Sequence, residues 1–408
     1  MRIRMVSVLV FTAFVAAGCS DLFDVENPGS LTTDQLDDPD LFSVLAVTPE
    51  GEVCAAYDNL VMANSLQSDD VAFIGSFTYT ELHMWGYMEG FNSTQESAFN
   101  GIATARWVAE DVVARLAASD PSNALLQNGV YWGAIARVGL ADHFVGVPID
   151  GGVAQTPQAI LESTLSLFDQ VTAGSSDVNL RAAALGSKAR VLRSLYFERG
   201  TQMADFTAAM AAAEAALAMK SDFNFVCHYA SPGSENGLNT YHKNILNVVL
   251  DPRNIAIVDP VSGVLDPRIN VGPAEVAAPP PHTGMVHRFY KYAGLDADLP
   301  VSRWAEARLI LAEGNLLAGN LAEAVSQINL VRADAGLSAF ASTDAAAIET
   351  QLRYERRLEF MVEGRRLQDH RYYNIVPWQW DDATRALGTN RRWPISQSEI
   401  AGNPNVSG

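Results

Sequence analysis

Apolar residues recur at helical spacing along much of this chain. Residues 96–117 set Phe99, Ile102, Ala103, Trp107, Val108, Val112 and Leu116 three and four apart, the stripe of an amphipathic helix. Residues 123–143 repeat the pattern with Leu126, Val130, Tyr131, Ala134, Val138 and Ala141. Pro148 then stops it, because proline fixes its own φ and pushes Val147 into an extended conformation. Ile160, Leu161, Leu165, Phe168 and Val171 predict a third helix over residues 158–173. Two later stretches look alike. One runs from Ala184 to Tyr196, turns at Gly200 and continues from Ala204 to Ala216. The other runs from Ala305 to Leu316, turns at Gly319 and continues from Leu321 to Val331.

Each of these is a helix, a glycine turn and a helix rich in small residues. The period and the small residues are similar to tetratricopeptide-type hairpins. Such hairpins bury their faces only by stacking on one another, and the helices over 96–143 supply further layers. The alternative is generic antiparallel helix pairing, which leaves the architecture unchanged. Residues 221–300 break the pattern. They hold Pro232, Pro252, Pro260, Pro267, Pro273, Pro279, Pro280, Pro281 and Pro300 and predict irregular loop, with short strands at 248–250, 255–258 and 286–290. A loop region of that length inside a helical body is a common place for function. The spacing from Ser342 or Thr343 onward predicts one more helix. Ile348, Leu352, Tyr354, Leu358 and Met361 face inward, and the helix continues through Glu363-Gly364-Arg365-Arg366 to Tyr372. The charges interleave, Glu355 with Arg356 and Arg357, and Glu359 and Glu363 with Arg366, and those that stand three or four apart can pair along one helix face.

The two ends of the chain differ in kind. Residues 1–18 are a basic start, an apolar run from Met5 to Ala17 and Gly18, which is a signal peptide too short to span a bilayer. The junction Val15-Ala16-Ala17-Gly18-Cys19 resembles the bacterial lipoprotein box, with Ala16 where Leu is usual. That resemblance implies lipid on Cys19, and each buried methylene contributes about 0.8 kcal/mol to anchoring. Polar, turn-rich residues 19–40 form a tether, with a short helix from Thr32 or Thr33, and residues 41–408 form one domain. Cys54 and Cys227 remain. In an oxidising envelope an even pair suggests a disulfide, and two buried thiols are the alternative.

With 48% hydrophobic and 18% charged residues among 408, the chain is globular and not disordered. Its formal charge is −19, yet residues 301–408 carry 12 Arg against 13 Asp and Glu, so about −18 falls on residues 1–300. An acidic surface repels nucleic acid and anionic lipid and leaves a neutral or weakly polar ligand. The seven His lack metal-ligand spacing, and no cofactor or phosphate-loop motif is present. Glu359 and Glu363 could be read as a glycosidase pair. They stand one turn apart among several Arg, however, and nearby positive charge lowers a carboxyl pKa where a general acid needs it raised. They read as structural, and the chain reads as a non-enzyme.

The run from Glu355 to Asp369, Glu-Arg-Arg-Leu-Glu-Phe-Met-Val-Glu-Gly-Arg-Arg-Leu-Gln-Asp, resembles the SusD/RagB family of outer-membrane lipoproteins. Other segments agree in order: Asp24-Val25-Glu26-Asn27-Pro28, Leu140 to Pro148, Asp266-Pro267-Arg268-Ile269, Arg303-Trp304-Ala305-Glu306, Ile328 to Leu337, and Trp393 to Pro404. The chain departs from the family in being short and in carrying Arg106 where Asn is frequent. The resemblance implies a mostly α, SusD-like fold with helical repeats at about 96–217 and 301–371 and a ligand region at about 221–300. It implies a lid on a TonB-dependent outer-membrane barrel that captures an oligosaccharide, or in some members a peptide, and passes it inward. It also implies lipid anchoring at the outer membrane, facing the exterior. Sugar rings offer apolar faces edged by hydroxyls, so aromatics and polar rim groups should hold them. Asp70, Tyr79, Trp85, Tyr87 and Asn92 supply that mixture early in the chain, and Tyr241 and His242 in the loop region. Trp85 is the foremost candidate, because Gly86 and Gly90 suggest a loop there, whereas Phe73 and Phe77 read as core. Trp378 and Trp380 line the face or plug it. The remaining alternative is a tetratricopeptide-like envelope scaffold with no small ligand.

Overall fold

The structure is a computed structural model that describes residues 35–87, 91–241, 245–269, 271, 276–278, 283–380 and 392–406. The leader, Cys19, the helix expected from Thr32 or Thr33, and His242 lie outside these residues. Residues up to Leu45 form a small unit of their own. Its described part is a run of short helical turns, Gln35–Asp37, Pro39–Leu41 and Phe42–Leu45. Asp38 caps the second turn by accepting from the Asp40 amide at 3.0 Å.

The larger unit, from Ala46 onward, begins with α1 (Thr48–Gln67). This helix is buried nearly all round. Helices α3 (Ser93–Ser119) and α4 (Leu126–His143) pack on it. From there each helix packs on the next in sequence: α5 (Pro157–Gly174), α6 (Val178–Glu198) and α7 (Met203–Met219). The hairpin of α8 (Trp304–Leu317) and α9 (Leu321–Asp334) continues the stack by laying α8 on α7. Both expected glycine turns form, with Gly200 at φ +75° and Gly319 at +79°, conformations that cost glycine little. Close approach explains the small residues. A methyl group at Gly186 of α6 would sit 2.7 Å from the buried Phe223 ring.

Short strands tie the loop region to the helices. In chain order, β1 (Val71–Phe73) pairs antiparallel with β5 (Val248–Leu250), and β4 (Asn224–Cys227) with β8 (Leu299–Arg303). The hairpin of β2 (Val147–Pro148) and β3 (Ala154–Gln155) follows α4, and β6 (Val276–Ala277) pairs with β7 (Met285–Val286). Of the expected strands, 248–250 forms. Residues 255–258 contribute only the bridge Val258–Leu265, and 286–290 only the end of β7 and the bridge Phe289–Val271. Cys54 in α1 and Cys227 in β4 form a disulfide with Cα atoms 5.3 Å apart.

The last long helix departs from expectation. Helix α10 (Ala345–Glu359) stops, and α11 (Arg366–Tyr372) is separate. Between them Val362 has φ +55° and Gly364 φ +71°. The buried Asp70 carboxylate accepts from the Val362 amide at 2.9 Å, which fixes the chain in a conformation a helix cannot hold. The expected ion pairs within the helix also give way to pairs between elements. Glu355 takes Arg332 of α9 at 2.6 Å and Arg268 at 2.7 Å. Glu359 takes Arg303 at 2.5 Å, Glu363 takes Lys291 at 2.6 Å, and Arg366 goes to Asp69 at 3.0 Å. Extra hydrogen-bonding partners are what make burying such ions affordable.

Candidate functional site

A cavity of about 380 Å³ opens where α1, the start of α3 and the loop before β5 meet α2 (Thr78–Met84). Its floor is Met62, Ala63 and Leu66 of α1 with Phe73 of β1. Phe77, which precedes α2, stacks on Phe73 at 6.4 Å between centroids and is 63% exposed. Tyr241 and Asn247 approach from the loop, and Asn59, Thr80, Ser93, Thr94 and Ser97 supply amide and hydroxyl groups. Among the described residues the lining carries no charged side chain. The volume falls in the usual range of about 300–1,000 Å³ for small-molecule sites.

Hydrogen bonds set this geometry. Asn92 caps α3, accepting from the Thr94 amide at 2.9 Å, and its Nδ2 donates to the Tyr79 carbonyl at 2.9 Å. The Thr80 and Thr94 hydroxyls meet at 3.1 Å. The Ile74 amide donates to the Asn247 carbonyl at 2.8 Å, and the Asn247 amide to the Tyr241 carbonyl at 3.0 Å. The loop aromatic is thereby held on the strand pair.

Of the residues singled out from sequence, Tyr241 lines the cavity. Tyr79 stands outside it, 43% exposed and edge-on to Phe91 at 5.4 Å. Asn92 is buried in its capping role, so it serves the backbone and not a rim. Asp70 is fully buried beneath the surface, and burial pushes its pKa up to about 7 despite the Val362 amide. Trp85 caps the C-terminal end of α2 and is not among the cavity residues. The loop inferred from Gly86 is a helix end, and Gly86, at φ +86°, lies against the Trp380 ring. Tyr87 is half-buried, with its carbonyl accepting from Gln95 Nε2 at 3.0 Å. Trp380 is buried as a plug, and Trp378 lies under the Arg253 guanidinium at 3.8 Å. Phe77 was expected in the core and faces the cavity instead. Its place just before a helix start and after Gly75 was the available signal.

The Glu359–Glu363 pair shows no acid–base division. Burial is the largest influence and opposes ionisation of both, but the nearby cations together outweigh it: Arg303 with Arg268 and Lys291 at Glu359, and Arg303 with Lys291 at Glu363. Both therefore stay below the ordinary carboxyl value. His83 and His143 are held neutral by burial, at about 4 and about 3. Among the described residues no group of His, Cys, Asp and Glu is placed to hold a metal ion. No helix among them is long and apolar enough to cross a membrane.

The sequence model of the SusD family matches residues 281–376. Solved structures are similar over nearly the whole chain. One is a SusD superfamily protein from Parabacteroides distasonis, at 11% identity, covering 93% of this chain and 99% of that one with a TM-score of 0.70. Another is a SusD-like carbohydrate binding protein from Bacteroides fragilis, at 14% identity, 91% and 99% coverage and TM-score 0.69. A third, a SusD-like carbohydrate binding protein from Bacteroides vulgatus, has 14% identity, 80% and 82% coverage and TM-score 0.61. No curated protein matches the sequence. The fold is thus that of the SusD superfamily. The SusD family model covers the segment from before α8 to the end of α11.

Proposed function

We propose that the protein captures a neutral oligosaccharide in the 380 Å³ cavity and delivers it to a TonB-dependent barrel in the outer membrane, to which lipid on Cys19 anchors it. The observation that carries this reading is the lining itself: aromatic faces at Phe77 and Tyr241, amide and hydroxyl groups around them, and, among the described residues, no charge. Aromatic faces match the C–H faces of a sugar ring, and the polar groups match its hydroxyls. A neutral lining inside an acidic protein selects against anionic glycans. The carbohydrate-binding descriptions of two structural neighbours point the same way.

Calorimetry of the soluble form beginning at Ser20, against neutral oligosaccharides and oligopeptides, tests the reading. Saturable sugar binding is expected, weakened at least tenfold in Phe77→Ala and Tyr241→Ala, where a factor of ten is about 1.4 kcal/mol. Binding of peptides alone would move the protein to peptide capture. No binding of either class would favour the scaffold reading. Delivery is checked on the lipidated full chain, which should purify from its own membranes with a barrel protein.

A further inference from the structure

A second cleft, of about 520 Å³, shares no lining residue with the first. Helix α3 contributes to both, with Ser93, Thr94, Ser97 and Ala98 toward the first cavity and Asn100, Thr104 and Trp107 toward the second. The facing wall is the Asp150–Gly151 turn of the β2–β3 hairpin and Glu399 of the short helix α12 (Gln397–Gly402).

Three properties separate this cleft from an accidental surface dent. Trp107 is 55% exposed, a large apolar face left to solvent beside polar groups. The walls are cross-tied without a ligand. Glu96 accepts from the Gln397 and Ser398 amides at 2.7 and 2.9 Å, Asn100 Nδ2 donates to Ser398 Oγ at 3.0 Å, and Asn403 and Asn405 donate to the Gly152 and Gly151 carbonyls at 2.9 and 2.8 Å. A preformed site loses less entropy on binding. Arg106, also in the lining, is 5% exposed, and its Nε is buried without an acceptor. A buried donor left without a partner is unfavourable. It pairs with Glu110 and with Asp150 at 2.8 Å each, and Asp150 stands in the turn at φ +51°. Backbone held in such conformations clusters at binding sites.

We propose that this cleft is a second sugar site, in which Trp107 stacks on one face of a neutral pyranose while Asp150, Glu399 and Asn100 take its hydroxyls. The carboxylates disfavour anionic sugars. The Arg106 guanidinium in the same lining, already paired with Asp150, disfavours a cationic ligand.

Fluorine NMR of the chain labelled with 5-fluorotryptophan reads the site directly, with the Trp107 resonance assigned from Trp107→Phe. The probes are methyl glycosides and short oligomers of glucose, galactose, mannose and xylose, with glucuronate and tetramethylammonium as controls. The Trp107 resonance is expected to shift saturably with at least one neutral sugar. Asn100→Ala and Asp150→Gly, the latter tolerated at positive φ, should each weaken that response at least threefold. Tyr241→Ala should leave it unchanged, so loss of the first site and loss of this one are told apart. A Trp107 resonance unmoved by every neutral sugar, or moved equally by tetramethylammonium, overturns the proposal.

Discussion

Asp70 shows how a polar side chain near aromatics can belong to the backbone and not to a ligand. It is fully buried, and its Oδ2 accepts from the Val362 amide at 2.9 Å. Burial pushes its pKa from 3.8 up to about 7. An acid raised on folding keeps its proton longer in the folded chain than in the unfolded one, so the folded chain binds more protons between those values. Stability from this group is therefore fullest below about pH 4 and declines as pH climbs to about 7. Asp70→Asn keeps an oxygen for the Val362 amide and removes the titration. Melting curves should show the variant gaining on the parent at pH 8 relative to pH 5; an equal gap at both would refute the assignment. Asp70→Ala leaves the amide without its acceptor and should cost about 1–3 kcal/mol at pH 5, and less at pH 8, because it too removes the titration. Composition alone gave no sign of this role. Asp70 and Asn92 carry rim-like chemistry in the sequence, and what claims them is a backbone amide 292 residues away for one and a helix start for the other. Tyr241 was legible as a loop aromatic open to the cavity because a proline-rich region around it left no helix face to bury it in. Phe77 was not, since an isolated aromatic reads as core.

At the scale of elements, legibility followed amphipathicity. Helices α3 to α9 carry stripes or small-residue faces, and their extents read off the spacing. Helix α1 is buried nearly all round, with Asn64, Ser65 and Gln67 inside the fold beside Leu60 and Val61, so no polar face marks its period. The break between α10 and α11 was hidden for another reason. The charges of residues 355–366 keep helical spacing, but their partners lie on other elements: Arg332, Arg268, Arg303, Lys291 and Asp69. Spacing reports which residues could pair within a helix, not what else competes for them. The small-residue faces admit a direct test. At Gly186 a methyl group would lie 2.7 and 2.9 Å from Phe223 ring carbons and 2.9 Å from Ser302 Oγ. Phe223 is fully buried and cannot swing away. Gly186→Ala should therefore destabilise by about 1–3 kcal/mol by overpacking, even though alanine is the better helix former by about 1 kcal/mol. Denaturant unfolding decides between the two terms, and a stabilised variant would show that the α6 face has room to spare.

At the scale of the whole molecule, the fold is closed by links that cross long stretches of sequence. The ion network joins α8, α9, α10 and α11 to the loop region, with Arg332 and Glu355 fully buried and Arg356 paired to Asp369 at 2.8 Å. The disulfide joins α1 to β4 across 173 residues. The Tyr229 hydroxyl donates to the Cys54 carbonyl at 3.1 Å beside it, and the same α1 segment offers Asp58 to the Gly237 amide at 2.9 Å. This clamp holds the first stretch of the loop region on the helix that floors the 380 Å³ cavity. On the chain-entropy account, closing a loop of that length stabilises by about 4–5 kcal/mol, mostly by restricting the unfolded chain. Both cysteines are wholly shielded from solvent, so a thiol reagent must wait for the fold to open before it can attack. Two outcomes follow together. The native protein should resist dithiothreitol at room temperature and lose its disulfide only as it unfolds. The Cys54→Ser, Cys227→Ser double variant should melt lower, with a loss of about 2–5 kcal/mol in denaturant unfolding. If the loss is confined to the loop region, amide hydrogen exchange will speed up around residues 224–241 while α5 to α7 stay protected, and ligand affinity will drop with Tyr241's anchoring. If exchange instead rises evenly through α3 to α9, the clamp stabilises the molecule as a single cooperative body.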